Sequence, residues 1–365
     1  MKVVVTGGGT GGHIYPALAF VRFLKKEEPH ARIKYIGSET GLESDFVPRA
    51  GVAFSSVKIS GFKRKLSLHN VRTVYRFLKA VKQAKKMFKE DRPDVVIGTG
   101  GYVSGPVVYA AARMNIPTIV HEQNSVPGLT NKFLSKYASR VAISFEDSSS
   151  YFPKEKVAYT GNPRAQEVSS IRSENPLASF GLVPEKRTVL VVGGSRGARP
   201  INDAFLDSIA EIERKDYQVL YVTGQVHYEK VNEKMEASGR PANIAVEPFL
   251  HNMPEVLPHI DVLVTRAGAT TLAELTALGI PSILIPSPYV TNNHQEKNAR
   301  TLETRGAAYV HLEQDWSKTH FIETLDELFE TTATWERMHE AALNAGVPDA
   351  SNRLYQVIKE VIESK

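Results

Sequence analysis

Three times in this chain an apolar, β-branched run drops into a cluster of glycines and then into a helical pattern. Lys2-Val3-Val4-Val5-Thr6 leads into Gly7-Gly8-Gly9-Thr10-Gly11-Gly12-His13, and Asp94-Val95-Val96-Ile97 into Gly100-Gly101-Tyr102-Val103-Ser104-Gly105-Pro106. The run 188–192 leads into Gly193-Gly194-Ser195-Arg196-Gly197-Ala198. Glycines let a backbone turn tightly and come close to a ligand, and the free N–H groups of the following helix favour an anion. A diphosphate is the expected guest of the first loop. Its Gly7, Gly9, Gly12 spacing also satisfies the dinucleotide pattern G-x-G-x-x-G, a weak signal alone. Recurrence is the stronger constraint, because it demands a strand-loop-helix fold repeated along the chain.

The remaining pattern agrees. Strand candidates fall at 2–6, 33–36, 53–57, 94–98, 118–121 and 140–144, then at 188–192, 218–222, 244–247, 261–265, 282–285 and 308–311. Helical patterns separate them, as in parallel sheets covered on both faces. The halves echo each other: Asp94-Val95-Val96-Ile97 and Asp261-Val262-Leu263-Val264 each lead through glycine to a helix and then to an Ile-Pro strand start. With 365 residues, 42% of them apolar, the chain is an α/β protein of two Rossmann-like, doubly wound parallel-sheet domains. The turn-rich Gly161-Asn162-Pro163-Arg164 marks the break. The expected division is 1–162, 163–348, and a terminal helix at 349–365 returning to the first domain.

Cysteine is absent, which excludes disulfides and thiolate metal sites and fits a reducing compartment. The best apolar window, 105–120, is cut by Arg113, Asn115 and Pro117, so no membrane span is expected, and the first apolar run ends in glycines too soon for a signal peptide. The net charge is +5, yet residues 58–92 alone carry 12 Lys/Arg and 2 Asp/Glu. One basic patch on an otherwise acidic chain points to an anionic surface. Within it, 70–89 reads as a helix in which Val71, Val74, Leu78, Val81 and Phe88 form an apolar face between lysines. The preceding loop mixes Phe62, Lys63, Arg64, Lys65 and Leu66. An anionic phospholipid surface is the expected partner. No helix-turn-helix, RRM or zinc pattern supports nucleic acid.

Several of these blocks together resemble the MurG family of peptidoglycan N-acetylglucosaminyltransferases. The carriers are GGGTGGHIYPALA from Gly7, IGTGGYVSGP from Ile97, HEQN from His121, GGSRGA from Gly193 and RAGATTLAELTALGIPSILIP from Arg266. They run in family order along nearly the whole chain. The resemblance implies a GT-B fold, two Rossmann-like domains facing across a cleft, with the acceptor mainly on the first and UDP-GlcNAc mainly on the second. It implies transfer of GlcNAc to lipid I, the undecaprenyl-diphosphate-linked acceptor, at the cytoplasmic face of the bacterial membrane, with no cofactor.

The resemblance also distributes roles. Ser195 and Thr271 would reach phosphate oxygens and Glu274 the ribose hydroxyls, within the block Ala269, Thr270, Thr271, Leu272, Ala273, Glu274. Leu250 falls where backbone groups read uracil, and Gln295 where an amide reads the sugar hydroxyls with both donor and acceptor. Thr10, Gly11, Gly12 and Asn124 match positions near the donor sugar, and Tyr102 would position the acceptor. Arg164 would contact the donor, although the family often reads Gly-Asn-Pro-Val-Arg where this arginine follows Pro163 directly.

Two residues are candidates for the base. The imidazole of His13 titrates ordinarily near pH ~6.5, and a helix N-terminus favours its neutral form. It can equally cap the helical stretch 14–28. Glu122 competes with it. No D-x-D or H-x-x-x-H pattern offers a metal site, and the first loop lacks the G-K-[ST] of a P-loop. The rivals are a UDP-GlcNAc 2-epimerase, an NAD(P)-dependent oxidoreductase with Glu39 as ribose acid, and a scaffold that only binds anionic lipid.

Overall fold

The computed structural model describes residues 1–61, 68–194 and 196–364, the side chains of 68–71 excepted. The chain divides into two units, Met1–Glu167 with Asp349–Lys365, and Val168–Pro348.

The first unit holds strands β1 (Lys2–Thr6), β2 (Arg32–Ser38), β3 (Ala53–Val57), β4 (Val95–Gly98), β5 (Thr118–Glu122), β6 (Arg140–Ile143) and β7 (Val157–Tyr159). They form one parallel sheet in the order β3-β2-β1-β4-β5-β6-β7. Its helices are α1 (Gly11–Glu27), α2 (Glu43–Arg49), α3 (Leu68–Glu90), α4 (Ser104–Ala112), α5 (Leu129–Ser135) and α6 (Pro163–Ser169). Alternation along β1 divides its side chains between two cores. Val3 and Val5 face Ile14, Leu18, Val21 and Leu24 of α1, while Val4 faces Ala84 and Phe88 of α3 and Val107 of α4. Because helices cover both faces, the central strands β1 and β4 read as apolar runs.

The second unit repeats the plan with β8 (Thr188–Val192), β9 (Gln218–Val222), β10 (Ile244–Glu247), β11 (Val262–Thr265), β12 (Ser282–Leu284) and β13 (Ala308–Val310), ordered β10-β9-β8-β11-β12-β13. Its helices are α7 (Arg199–Asp207), α8 (Ile209–Ile212), α9 (Tyr228–Ala237), α10 (Met253–Val256), α11 (Ala269–Leu278), α12 (His294–Thr304), α13 (Lys318–Glu330) and α14 (Thr332–Ala345). The sequence echo has a structural counterpart. Asp94 Oδ2 accepts the N–H of Lys2, and Asp261 Oδ2 that of Thr188, each at 2.7 Å. In each unit one aspartate thus pins the start of the first strand beside the fourth.

The last helix, α15 (Ala350–Glu363), buries Leu354, Val357, Ile358 and Val361 in the α1 core of the first unit. The N–H of Asn352 donates to Gln166 Oε1 at 2.9 Å, and Arg22 pairs with Glu167 at 2.5 Å. Those contacts hold the start of α6 on the first unit, so the division falls inside α6, after Glu167. Strand β7 escapes the sequence reading because it is three residues long, half-exposed, and at the sheet edge.

Candidate active site

In each parallel sheet the order of strand addition reverses between the first and fourth strands, β1 and β4 in one unit and β8 and β11 in the other. Crevices at the carboxyl ends of such strands are where open α/β sheets bind ligands. All the glycine clusters open there.

In the first unit the loops after β1 and β4 lock together. Gly8 N–H donates to Gly100 O at 3.2 Å, and Thr99 Oγ1 donates to His13 O at 2.8 Å. Gly101 has φ +81°, and a Cβ there would stand 2.1 Å from the Gly8 carbonyl oxygen. Only glycine allows this approach. The Tyr102 ring lies against Gly9 and Gly61.

Beneath the first loop sits Glu43, which is fully buried. Its Oε1 accepts the N–H of Ser38 at 2.9 Å and its Oε2 the N–H of Gly9 at 3.1 Å. Tyr35, also buried, donates its hydroxyl to Gly7 O at 2.8 Å, and burial together with the Glu43 charge pushes that phenol up, so it stays a donor. These contacts narrow the part of the first loop that is open to the expected diphosphate. Gly8 and Gly9 spend their N–H groups inside the unit, one of them on a carboxylate of the chain itself. It is Thr10 and Gly12 that lie exposed.

His13 stands in the first turn of α1. Its Nδ1 lies 3.0 Å from Gly8 O and 3.2 Å from Thr10 Oγ1. A carbonyl oxygen can only accept, so Nδ1 carries the proton and the lone pair of the neutral ring falls on Nε2. Glu122 has another character. Buried at the end of β5, it accepts from Asn124 N (2.9 Å) and Nδ2 (3.2 Å), Gly128 N (3.1 Å) and Asn131 Nδ2 (2.8 Å). Four donors suit it to hold the loop that carries Asn124 and α5. His121 beside it is wholly buried, donating from Nε2 to Gly161 O at 2.9 Å and accepting at Nδ1 from Gln123 Nε2 at 3.0 Å. Burial depresses its basicity. Arg164 belongs to the first unit, where its buried guanidinium pairs with Glu167.

In the second unit Gly197, with φ +72°, comes so close to the Thr223 carbonyl that a Cβ would stand at 2.1 Å. Ser195 lies outside the described residues. Gly268 caps α11, which begins Ala269-Thr270-Thr271 and carries Glu274 one turn on, 7% exposed. The side chain of Leu250 is buried. Gln295 Oε1 accepts the N–H of Ser287 at 2.9 Å, which fixes the orientation of the amide.

Sequence reasoning missed the side chains that brace these loops. Arg266, directly after β11, donates to Ile285 O beyond β12 at 3.0 Å and pairs at 2.5 Å with Glu313 beyond β13. Asn298 Nδ2 reaches Ala267 O at 3.4 Å. The one signal for Arg266 was a charge placed immediately after an apolar strand. For Glu43 there was none.

A second feature lies on α3, α4 and α5. Phe77, Tyr109, Phe133 and Tyr137 form a ring cluster with centroid distances of 5.0–6.2 Å. Around it Val74, Tyr75, Leu78 and Leu129 are 49–77% exposed, and Lys79, Lys82, Lys86 and Lys136 are exposed as well. The expected loop cations and Phe62 fall outside the described residues.

Comparison with known proteins accounts for the arrangement. The N-terminal domain model of glycosyltransferase family 28 matches residues 3–143, and the family's C-terminal domain model matches 188–354. A relative from Halalkalibacterium halodurans, the UDP-N-acetylglucosamine--N-acetylmuramyl-(pentapeptide) pyrophosphoryl-undecaprenol N-acetylglucosamine transferase, is 58% identical over 361 residues, 99% of each chain. The crystal structure of Acinetobacter baumannii MurG superposes with a TM-score of 0.76 at 26% identity, over 98% of this chain and 99% of that one. A UDP-GlcNAc 2-epimerase from Neisseria meningitidis, bound to UDP-GlcNAc, reaches a TM-score of 0.70 over the whole of both chains at 15% identity, which is a likeness of fold alone. By both domain matches and by identity along its full length, the chain belongs to glycosyltransferase family 28, within the MurG group of N-acetylglucosaminyltransferases.

Proposed function

We infer that this protein transfers N-acetylglucosamine from UDP-GlcNAc to the C4 hydroxyl of the muramyl sugar of lipid I, giving lipid II with inversion at the anomeric carbon. The observation that carries the reading is the 58% identity to a transferase of that name over 99% of both chains. The oxygen of the acceptor hydroxyl attacks the anomeric carbon, its proton passes to His13 Nε2, and the bond to UDP breaks with its electron pair on the diphosphate. One displacement needs one base and no covalent sugar intermediate. The helix starts at Arg199 and Ala269 and the hydroxyls of Thr270 and Thr271 meet the charge on the leaving diphosphate. Glu274 accepts the ribose hydroxyls, and the Gln295 NH₂ group donates to the sugar. Glu122 takes the part of a positioning residue for Asn124, because its oxygens already hold four N–H donors. Tyr102, packed on Gly9, borders the acceptor.

The same reading gives the α3–α5 face a purpose. A lipid-linked acceptor is reached at a membrane, and exposed aromatic and aliphatic side chains ringed by lysines favour the interface of an anionic bilayer. The protein then works as a peripheral enzyme on the cytoplasmic leaflet. Labelled UDP-GlcNAc, with lipid I as acceptor, tests the transfer itself.

A further inference from the structure

The peptide group between Gly8 and Gly9 is engaged at both ends. Its carbonyl accepts the Nδ1–H of His13 at 3.0 Å, and its N–H donates to Glu43 Oε2 at 3.1 Å. The chain contains no cis peptide bond among its described residues, so this C=O and N–H point in opposite directions and the three groups lie in series. Glu43 is held from its other oxygen by Ser38 N–H at 2.9 Å, and the glycines at 8, 37 and 41 leave room for it: a Cβ at any of them would stand within 2.6 Å of its side chain.

We propose that Glu43 is a positioning residue for the base, acting on His13 through the Gly8–Gly9 peptide. This rests on the reading of His13 as the base. A carboxylate on the N–H side polarises the peptide and strengthens its carbonyl as an acceptor, since hydrogen bonds in series reinforce one another. The stronger acceptor fixes the proton on Nδ1 and keeps Nε2 as the basic nitrogen of the ring. When Nε2 takes the proton, the imidazolium is stabilised by a negative charge it never touches. The Nδ1 proton stays where it is. The device does what a directly bonded carboxylate does for a catalytic histidine, with a peptide unit as spacer. It also explains why a carboxylate is buried beneath a glycine loop whose sequence alone points to an anion guest.

The test uses the full-length protein with ring-¹⁵N histidine, the His13 signal being identified by its loss in His13→Gln. At neutral pH the wild-type ring is expected as the Nδ1–H tautomer; an Nε2–H tautomer overturns the proposal without any variant at Glu43. Glu43→Gln is expected to lower kcat about tenfold to a hundredfold with the KM for UDP-GlcNAc changed less than threefold, and to shift the His13 tautomer balance toward Nε2–H. Tyr35→Phe is the control, because it removes a buried hydrogen bond to Gly7 of the same loop without interrupting the series. If Tyr35→Phe lowers kcat as much as Glu43→Gln, loop rigidity alone explains the effect and the proposal falls. If His13→Gln abolishes turnover while Glu43→Gln leaves kcat and tautomer unmoved, the base stands and the coupling does not. If His13→Gln leaves kcat intact, the base reading and the proposal fall together.

Discussion

The Nδ1 of His13 stands 3.0 Å from the carbonyl oxygen of Gly8, and this contact decides which end of the ring can take a proton. With Nδ1 as donor, Nε2 is the basic nitrogen. His13→Gln is expected to lower kcat by about 10²–10⁴-fold while the affinity for UDP stays within a factor of two. Steady-state kinetics and calorimetry with UDP check the two halves. A drop in kcat below tenfold would move the proton to another group.

Glu274 lies one turn into α11, and the proposed function gives it the donor's ribose hydroxyls. Glu274→Ala removes a charged acceptor, and hydrogen bonds to charged groups contribute about 1.5–3 kcal/mol. UDP affinity is expected to fall tenfold or more in a protein that melts as the wild type does. Unchanged affinity would take the ribose contact away from this residue.

Much of the fold was legible because buried parallel strands announce themselves. The runs at Val3–Val5 and Val95–Ile97 are apolar throughout, since helices cover both faces. The half-exposed β7 lacked that signature. The site was legible where the backbone makes it, at glycines such as Gly101 that no other residue can replace. It was not legible where distant side chains support it. Glu43 follows Gly41 and Leu42 in a stretch that reads as an ordinary turn and helix start, and only the pairing of β1 with β2 brings it under Gly9. Likewise Phe77, Tyr109 and the pair Phe133 and Tyr137 come from three separate segments, and no periodicity within one helix joins them.

That ring cluster and its lysines carry the membrane reading. Replacing Lys79, Lys82, Lys85 and Lys86 by Gln removes four charges, each contributing about 1 kcal/mol near an anionic bilayer. Sedimentation with vesicles of anionic phospholipid is expected to show a loss of well over tenfold at low salt, narrowing as salt rises. Turnover on a water-soluble acceptor analogue should hold. Equal vesicle binding by variant and wild type would leave this face merely solvated.

His121 gives stability a pH dependence of definite sign. Burial keeps its folded-state basicity below the ordinary value of 6.5. Below about pH 6.5 the unfolded chain therefore binds a proton that the folded chain refuses, and stability falls as pH drops toward the folded value, by at most about 1.4 kcal/mol per pH unit for one site. Above that window the contribution is level. Denaturant melts between pH 7.5 and 5.0 are expected to be steeper in pH for the wild type than for His121→Asn. Parallel curves would mean that this ring does not govern the acid limb.

Transfer itself is the most direct test of the whole account. Purified protein is incubated with GlcNAc-labelled UDP-GlcNAc, with and without lipid I in anionic vesicles, and the products are separated and the new linkage assigned by NMR. The expected result is label on the lipid-linked acceptor as a β-1,4-linked GlcNAc, one UDP released per transfer, and no change to the sugar nucleotide when acceptor is omitted. Epimerised UDP-sugar formed without acceptor, or intact UDP-GlcNAc after incubation with lipid I, would contradict it.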